Sequence, residues 1–319
     1  MHTSSSNNKP RKGMKLRVGV VGLGHLGSIH ARIYKALGNC QLAGVCDIDL
    51  GRLEKISREL DAPAFADYRQ LFGRVDAASI AVTTRLHYQV ASDFLLHEAH
   101  TLVEKPFASS LEEAKALIKT AREKKLILQV WHIERFNSAF AAAQKIIHRP
   151  KFIECHRLSP FPHRSLDIGA VLDIMIHDID IVLGLVNSPV KEIDAVGVNV
   201  LTHFEDIANA RLRFADGCVA NLTASRVSDE AMRKIRIFQE NAYISLDYKE
   251  AAACVYRREG NVITKSELPI EKEQPLQKEL AAFAECCLRH HEPLVSGEVA
   301  AEALGLALKI QKAIWRKDR

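Results

Sequence analysis

The sequence predicts an α/β chain, with a doubly wound parallel sheet in its first half and an α+β domain with an open, mostly antiparallel sheet in its second. Over residues 16–130, short β-branched runs alternate with stretches of helical periodicity, which is typical of βαβ units. After about residue 150, several predicted strands follow one another directly. We therefore expect a disordered leader over 1–13, a first domain over 14–135, and a second domain over 136–319 that includes the C-terminal helices.

The first half contains five predicted strands and four predicted helices in alternation. The strands are expected at 16–21, 41–47, 77–82, 101–103 and 127–130. The helices are expected at 25–37, 50–60, 88–98 and 111–124. The last of these begins with Ser110-Leu-Glu-Glu113, a capping box that marks a helix start.

The second half begins with one long predicted helix over 169–186. Predicted strands follow at 192–200, 207–214, 218–225, 233–239 and 242–248. Asp216-Gly217 lies between two alternating runs and predicts a hairpin turn. Two further helices, over 274–290 and 298–316, are expected at the end of the chain.

Composition limits the classes of function that are possible. A chain of 319 residues that is 47% hydrophobic and 26% charged is globular, so disorder, collagen and coiled coil are excluded. All of the net charge of +5 lies in residues 1–17, where five basic residues stand without an acidic one. The rest of the chain is neutral, which argues against nucleic acid as a partner and for recognition of small anions only.

Location is predicted from apolar segments and cysteines. Apolar runs such as 77–82 are far shorter than the roughly 18 residues that cross a bilayer, so we expect no contact with a membrane. The first fifteen residues lack an apolar segment, so no secretory signal is expected. The seven cysteines show no zinc-type pairing and are interpreted as reduced core thiols of a cytoplasmic protein.

A glycine-rich motif follows the first strand directly and opens the first helix. In this position the glycines permit a tight turn, close approach of the backbone to a pyrophosphate, and close packing of helix on strand. Free N–H groups at the helix start attract the anion. We predict a dinucleotide site made by Gly22, Leu23, Gly24, His25, Leu26 and Gly27.

Asp47 ends the second predicted strand, twenty residues after Gly27. An acidic side chain there accepts hydrogen bonds from the adenosine ribose, which favours NAD as cofactor over NADP. Arg52 lies near enough to keep NADP open as the alternative. The competing interpretation is that the glycines only form a turn and that Asp47 only caps a helix.

The long helix of the second half carries ionisable residues on an otherwise apolar sequence. Asp173, His177 and Asp180 fall within about 60° of arc if each residue turns by about 100°. Buried ionisable groups are costly unless they are paired or serve a site. A satisfied internal network is the alternative to a site, and Asp178, off the stripe, is expected to make a structural hydrogen bond. A metal site is not expected, because no partner histidine or cysteine pattern accompanies the helix.

Glu104-Lys105-Pro106 follows a short strand some eighty residues past the glycine turn. Together with Asp173-x-x-x-His177-Asp-x-Asp180 it resembles the glucose-fructose oxidoreductase, inositol dehydrogenase and MocA family of nicotinamide-dependent oxidoreductases. The resemblance covers about residues 14 to 316. It implies an N-terminal Rossmann domain, a second α/β domain with an open sheet, and a substrate held between them.

The resemblance also assigns roles to particular residues. It implies that Lys105 and His177 form the catalytic pair and that Asp173 supports them. It places Glu104 and Lys105 near the cofactor, together with the loop that carries Thr83, Thr84 and His87. This loop departs from the family pattern, because Thr84 and Arg85 stand where the family has Pro and Asn.

These residue types suit the oxidation of a secondary alcohol. A histidine with an ordinary pKa near 6.5 can exchange the hydroxyl proton at neutral pH. A lysine can hydrogen-bond the same oxygen and stabilise the charge that develops on it. Asp173 is expected to orient Lys105 or the substrate.

Finer matches indicate the substrate. Segments 131–138, 206–214 and 221–228 resemble a bacterial subgroup that includes UDP-N-acetylglucosamine 3-dehydrogenases, which form a 3-keto sugar for a diamino sugar of lipid A. Guanidinium groups suit a diphosphate, and two of the four arginines 135, 157, 164 and 226 are expected to contact it. The predicted substrate-binding residues are Arg135, Asn137, Arg164, Asp173 and His177, with weaker indications for His132 and His163.

Two alternatives stay open at this point. One is an inositol, sugar or polyol dehydrogenase of the same family, and the other is a regulator that senses a dinucleotide without catalysis. Retention of Lys105, Asp173 and His177 favours an enzyme. We also expect a homodimer or homotetramer formed through the open sheet.

Overall fold

The computed structural model describes residues 15–161, 168–271 and 273–316. They form two compact units. One combines the described residues up to Trp131 with Gln277–Glu298, and the other combines the described residues of 132–276 with those from Val299 onward. The sequence had suggested that all C-terminal helices belong to the second domain. Residues 277–298 instead pack with the first unit, because the Val130 N–H donates to the Val295 carbonyl and Gln129 pairs with Ser296.

A six-stranded parallel sheet forms the centre of the first unit. Its order is β3-β2-β1-β4-β5-β6, the arrangement of a dinucleotide-binding Rossmann sheet, which confirms the predicted doubly wound topology. β1, β4, β5 and β6 are almost wholly buried, as is expected where helices cover both faces. The strands are β1 (Leu16–Val21), β2 (Cys40–Cys46), β3 (Ala64–Phe65), β4 (Ala77–Ile80), β5 (His100–Val103) and β6 (Leu128–Val130).

Four helices alternate with these strands, and their ends agree with local capping rules. The Asp49 side chain accepts from the Arg52 N–H at the start of the second helix. The Ser110 side chain accepts from the Glu113 N–H at the start of the fourth, as the capping box predicts. The helices are α1 (His25–Ala36), α2 (Leu50–Leu60), α3 (His87–Leu96) and α4 (Leu111–Lys124).

The second unit is built on an eight-stranded sheet in the order β14-β13-β12-β11-β7-β10-β9-β8. Only β7 and β10 pair in parallel, so the predicted mostly antiparallel sheet is confirmed. The strands are β7 (Phe152–Leu158), β8 (Val190–Val198), β9 (Ile207–Phe214), β10 (Val219–Ser225), β11 (Met232–Gln239), β12 (Ala242–Asp247), β13 (Ala252–Glu259) and β14 (Val262–Glu267).

Three of these strands, β7, β13 and β14, are absent from the sequence prediction. β7 alternates as expected for a strand, but it places the charged Arg157 on the buried face, which obscures the pattern. β14 is mostly exposed and pairs only with β13, so it carries almost no apolar signal. A strand is predicted from an alternation of apolar and polar residues, and β7 and β14 both depart from this alternation.

Helices cover one face of this sheet. They are α5 (Ser138–Gln144), a π-helical turn (Val171–Met175) that runs into α6 (Ile176–Val186), and α8 (Gly297–Arg316), while α7 (Pro275–Arg289) belongs to the first unit. The core lies between these helices and inward side chains such as Ile153, Ala210 and Leu222. Among the described residues, no helix is both long and apolar enough to span a membrane.

Candidate active site

The glycine turn joins β1 to α1, as predicted. Gly22 has φ +87°, and a Cβ there would overlap the carbonyl of Ala81. A Cβ on Gly27 would overlap the carbonyl oxygen of Gly22. Gly24 differs, because a Cβ there would meet no atom within 4 Å. The fold itself thus requires Gly22 and Gly27, whereas the space beside Gly24 suits the close approach of a ligand.

The first turn of α1 carries no charge that competes with an anion. Gly24 is its N-cap and makes no side-chain cap, and the described residues of the turn include no acidic side chain. Its N–H groups and the positive end of the helix dipole therefore suit a pyrophosphate. The residues of this turn fit a dinucleotide on the protein's own geometry.

Asp47 lies directly after β2 and is 7% exposed. Its Oδ2 accepts from the Leu23 N–H at 2.6 Å, which ties the glycine turn to the neighbouring strand. Its Oδ1 accepts from the Asp49 N–H at 2.8 Å and lies 3.3 Å from Nη2 of Arg52. The carboxylate thus holds the turn in shape, and Arg52 lies beside the position where the sequence analysis expects the ribose.

His87 is buried beneath the loop that carries Thr83 and Thr84. Its Nδ1 lies 2.8 Å from the Pro106 carbonyl oxygen, and its Nε2 lies 3.0 Å from that of Val82. The histidine therefore connects this loop with the Glu104-Lys105-Pro106 segment. Its predicted contact with the cofactor stays a prediction, while the structure assigns it a part in holding the two segments together.

A buried histidine that the sequence analysis did not single out lies behind Glu104. His30 on α1 has Nδ1 at 2.8 Å from Oγ of Ser79 and Nε2 at 3.5 Å from Oε1 of Glu104. Burial lowers the pKa of His30 to about 4, so the imidazole is neutral at neutral pH. Its spacing of three residues after Gly27, on the inner face of α1, was the available signal. Lys105, next to Glu104, is partly exposed.

In the second unit, Asp173 lies in the π-helical turn and His177 lies at the start of α6. Both side chains are half-buried, whereas Asp180 is 1% exposed. The predicted single stripe assumed α-helical geometry throughout. The π turn changes the rotation per residue before His177, and such turns are frequent at functional sites.

Two arginines clamp the helix that carries His177. Arg157 donates to Asp178 through Nε and Nη2 and to Oε1 of Glu134 at 2.7 Å. Burial opposes charge on this guanidinium, but the two carboxylates more than offset it and raise the pKa of Arg157. Asp178 therefore makes the structural contact that the sequence analysis expected.

Arg135 forms the second clamp. It donates through Nε to Asp180 Oδ2 at 2.6 Å and through Nη2 to the Asp180 carbonyl oxygen at 2.8 Å. Gly184 makes room for it, because a Cβ there would overlap the guanidinium. His132 lies against the same region, with its ring centroid 6.1 Å from that of His177.

These contacts show how the predicted substrate-binding residues are arranged. The Asn137 side chain caps α5 by accepting from the Ala139 N–H, and the Arg135 guanidinium is paired with Asp180. Substrate contact by both residues stays a prediction, but each already has a structural partner. Arg226 is fully buried and paired with Asp206, which leaves it no exposed surface for a diphosphate. Arg164 and His163 lie outside the described residues.

In the described parts of the chain, no group of three or more His, Cys, Asp or Glu side chains is arranged to hold a metal ion. The glycine turn, the acidic residue after β2 and the strand order together define a dinucleotide-binding protein with a Rossmann unit.

Comparison with known proteins identifies the family. Residues 16–132 match the model of an oxidoreductase family with an NAD-binding Rossmann fold, and residues 142–245 match the Gfo/Idh/MocA C-terminal domain. The chain belongs to the Gfo/Idh/MocA family of oxidoreductases. This confirms the family inferred from the Glu104-Lys105-Pro106 motif and the helix motif, and with it a dehydrogenase that acts on CH–OH groups.

Named relatives span nearly the whole chain. UDP-N-acetylglucosamine 3-dehydrogenase of Acidithiobacillus ferrooxidans is 36% identical, over 94% of this chain and 97% of that protein. A solved structure of that enzyme matches with a TM-score of 0.90 and covers 94% of this chain and 98% of that one. Myo-inositol 2-dehydrogenase of Thermotoga maritima is 26% identical, over 95% of this chain and 97% of that protein.

Proposed function

We propose that the protein oxidises the 3-hydroxyl of UDP-N-acetylglucosamine to a 3-keto sugar with NAD as cofactor. The observation that carries this proposal is the 36% identity with a 3-dehydrogenase of that substrate, maintained over 94% of the chain. The inositol dehydrogenase is less similar, at 26%. Glu134 and Arg135, which help to hold α6 through Arg157 and Asp180, lie in segment 131–138, one of the segments that suggested the nucleotide-sugar subgroup.

Each proposed catalytic group has one task. His177 accepts the proton of the hydroxyl as the C–O double bond forms, and Lys105 donates a hydrogen bond to the same oxygen. Asp173 orients Lys105 or the sugar. A dinucleotide held at the glycine turn would supply the acceptor for the hydride of the sugar carbon. Asp178 and Asp180, each paired with an arginine, keep the helix that carries His177 rigid.

NAD is the proposed cofactor because the carboxylate of Asp47 disfavours the 2′-phosphate of NADP. Arg52 offsets part of this effect, since its guanidinium lies 3.3 Å from Asp47. We expect kcat/KM with NAD to exceed that with NADP by at least about tenfold. Arg52→Ala is expected to widen the ratio and Asp47→Asn to narrow it, and equal use of both dinucleotides by the parent protein contradicts the proposal.

The substrate assay uses purified full-length protein with NAD and UDP-N-acetylglucosamine, followed by absorbance of the reduced nicotinamide. An aminotransferase with glutamate removes the keto product, and mass spectrometry detects the 3-amino sugar. Its appearance supports the proposal. If no product forms while myo-inositol or a free hexose is oxidised, the second candidate, an inositol or sugar dehydrogenase, replaces it.

Lys105→Ala tests whether the protein is an enzyme or a sensor. Loss of the hydrogen bond to the reacting oxygen is expected to lower kcat by at least about tenfold and to leave NAD affinity within about twofold of the parent. Lys125→Ala is the matched control, because this lysine lies at the C-cap of α4 and has no proposed role in the site. Equal activity of Lys105→Ala and the parent rejects the catalytic role.

A homodimer or homotetramer is also proposed, formed through the outer face of the eight-stranded sheet. Supporting this, a row of aromatic rings crosses four of its strands. The centroids of Phe152 and Phe238 are 5.6 Å apart, those of Phe238 and Tyr243 are 4.7 Å apart, and those of Tyr243 and Tyr256 are 5.0 Å apart. Light scattering is expected to give at least twice the chain mass of 35.6 kDa. Tyr243→Arg is expected to lower it, and a monomeric parent protein contradicts the proposal.

The cellular setting that follows is the cytoplasm, where a 3-keto nucleotide sugar is aminated for a diamino sugar of lipid A. All seven thiols are free, and six of them are buried, which suits a reducing compartment. Cell fractionation with an antibody against the chain tests the location. Recovery in the periplasmic or membrane fraction contradicts it.

A further inference from the structure

Glu205 is a fully buried carboxylate at the start of the helical segment that carries Asp173 and His177. Its backbone oxygen accepts from the Ala170 N–H at 2.8 Å, and its Oε1 accepts from the Val171 N–H at 3.3 Å. These are backbone groups at the first residues of the π turn, which have no partner within the helix. Glu205 thus occupies the position where the π turn begins.

The surroundings of Glu205 are shaped for this one side chain. A Cβ on Gly169 would overlap its carboxylate, and a Cβ on Gly197 would lie 3.1 Å from its Cβ. Gln311 on α8 donates to Oε1 at 2.9 Å. Oε1 of Glu205 therefore has two donors, whereas Oε2 is buried without a hydrogen-bond partner among the described residues.

Asp206, the residue after Glu205, also helps to hold residues 168–171, and it does so through Arg226. Arg226 donates to Asp206 Oδ1 at 2.9 Å and to the Ile168 carbonyl oxygen at 2.8 Å. Asp206 Oδ2 in turn accepts from three consecutive backbone N–H groups, those of residues 200–202. Residues 168–171 are therefore held at both their carbonyl and their N–H groups.

From this geometry we infer that Glu205 is a positioning residue for the reaction at His177. The residue at which the π turn begins sets the directions of the side chains that follow, because the rotation per residue in a π turn differs from that in the α-helix after it. Glu205 supplies this point through the Val171 N–H, two residues before Asp173. It contacts neither substrate nor cofactor in this scheme, and the inference rests on the proposed role of Asp173 and His177 in catalysis.

The kinetic test compares Glu205→Ala with Glu205→Gln in the full-length protein. Alanine removes the acceptor for the Val171 N–H, whereas glutamine keeps an oxygen there. We expect kcat to fall at least about tenfold in Glu205→Ala and to recover to within about threefold of the parent in Glu205→Gln. NAD affinity is expected to stay unchanged, since the dinucleotide site belongs to the other unit.

Leu306→Ala is the control for lost stability, because Leu306 is buried on α8, the helix that carries Gln311. All variants are assayed well below their melting temperatures. A purely structural Glu205 predicts that Glu205→Ala and a control with the same fall in Tm keep the same kcat. That result overturns the inference.

A second readout does not depend on the substrate. In protein labelled with ¹⁵N-histidine, the ring signals of His177, assigned by their loss in His177→Asn, are titrated with pH. Glu205→Ala is expected to shift them and their midpoint, while Leu306→Ala leaves them in place. Signals unchanged in Glu205→Ala overturn the inference. If the parent does not oxidise UDP-N-acetylglucosamine, the proposed substrate fails and the titration still decides the role of Glu205.

Discussion

The two helices that begin at the candidate site residues start in opposite ways. α1 begins at a glycine, with no side-chain cap and no acidic residue among the described residues of its first turn. The segment that leads into α6 begins against the buried carboxylate of Glu205. Both starts present N–H groups and a positive dipole end, which attract negative charge.

The difference shows how one physical property serves two purposes. At α1 no side chain caps the N–H groups, which suits an anion that binds without displacing a capping side chain. At the π turn the Glu205 side chain accepts from the Val171 N–H, so this start already has a partner within the protein. α4, with its capping box of Ser110 and Glu113, is the ordinary case, in which the cap only stabilises the helix.

The largest effect is expected from the glycines of α1. Gly27→Ala places a Cβ onto the Gly22 carbonyl, so we expect NAD affinity to fall at least about 100-fold and the Tm to fall with it. Gly24→Ala meets no protein atom, so the Tm stays unchanged while NAD affinity falls at least about tenfold. Calorimetric titration and thermal melts measure both.

Gly38→Ala is the matched control for these variants, since a Cβ there also meets nothing within 4 Å and the residue lies outside the glycine turn. It is expected to behave as the parent protein. Parent-like NAD affinity in Gly24→Ala would contradict the assignment of α1 to ligand binding.

The second effect concerns the support of the π turn. Arg226→Met leaves Asp206 buried without its partner, and we expect a loss of about 3 to 5 kcal/mol in the free energy of unfolding. Urea denaturation measures it. The exposed pair of Arg58 and Glu54 is the control, and Arg58→Met is expected to change stability by less than about 1 kcal/mol. Equal effects of the two substitutions would show that the buried pair does not hold the segment.

The third effect is a difference in pH dependence between His30 on α1 and Asp206 near the π turn. The pKa of His30 is lowered to about 4 by burial, so the unfolded chain binds a proton first as the pH falls. The contribution of His30 to the free energy of unfolding is therefore lost between about pH 6.5 and pH 4, by about 3 kcal/mol in total. Asp206 has its pKa held below its ordinary value by hydrogen bonds from residues 201, 202 and 226, against the opposing effect of burial. Its contribution is lost only below about pH 4.

His30→Gln tests this separation in denaturation curves recorded at several pH values. It is expected to flatten the dependence of the free energy of unfolding between pH 6.5 and 4, and Asp206→Asn is expected to flatten it only at lower pH. An unchanged slope in His30→Gln would show that His30 is not the group that titrates.

The smallest effect is expected at α4. Ser110→Ala removes the acceptor for the Glu113 N–H and is expected to lower the free energy of unfolding by about 1 kcal/mol. Turnover and NAD affinity are expected to stay at the parent values, because this cap supports no site residue. A fall in kcat like that of Glu205→Ala would remove the distinction between a structural cap and a positioning one.

Much of the first unit could be predicted from the sequence. Apolar runs that end in turn residues predicted β1, β4 and β5 within two residues of their observed ends, and the glycine spacing predicted the turn before α1. These signals are local, because a buried parallel strand is apolar along its whole length and a tight turn needs glycine. The same locality explains why β7 was missed, since its inward Arg157 is neutralised by residues distant in sequence.

The sequence by itself determined the fold class, the family and the residues proposed for chemistry, because each depends on short motifs and on periodicity. Only the tertiary structure decided what the other charged residues do. Arg135 and Arg226 were both candidates for contact with a diphosphate, and the structure pairs both with buried aspartates. Arg226 has no exposed surface left for a ligand, whereas substrate contact by Arg135 stays a prediction. Glu205 carried no motif at all. Its position under the π turn depends on Gly169, Gly197 and Gln311, which only folding brings together. The partners of a buried polar side chain are determined by packing and not by spacing along the chain.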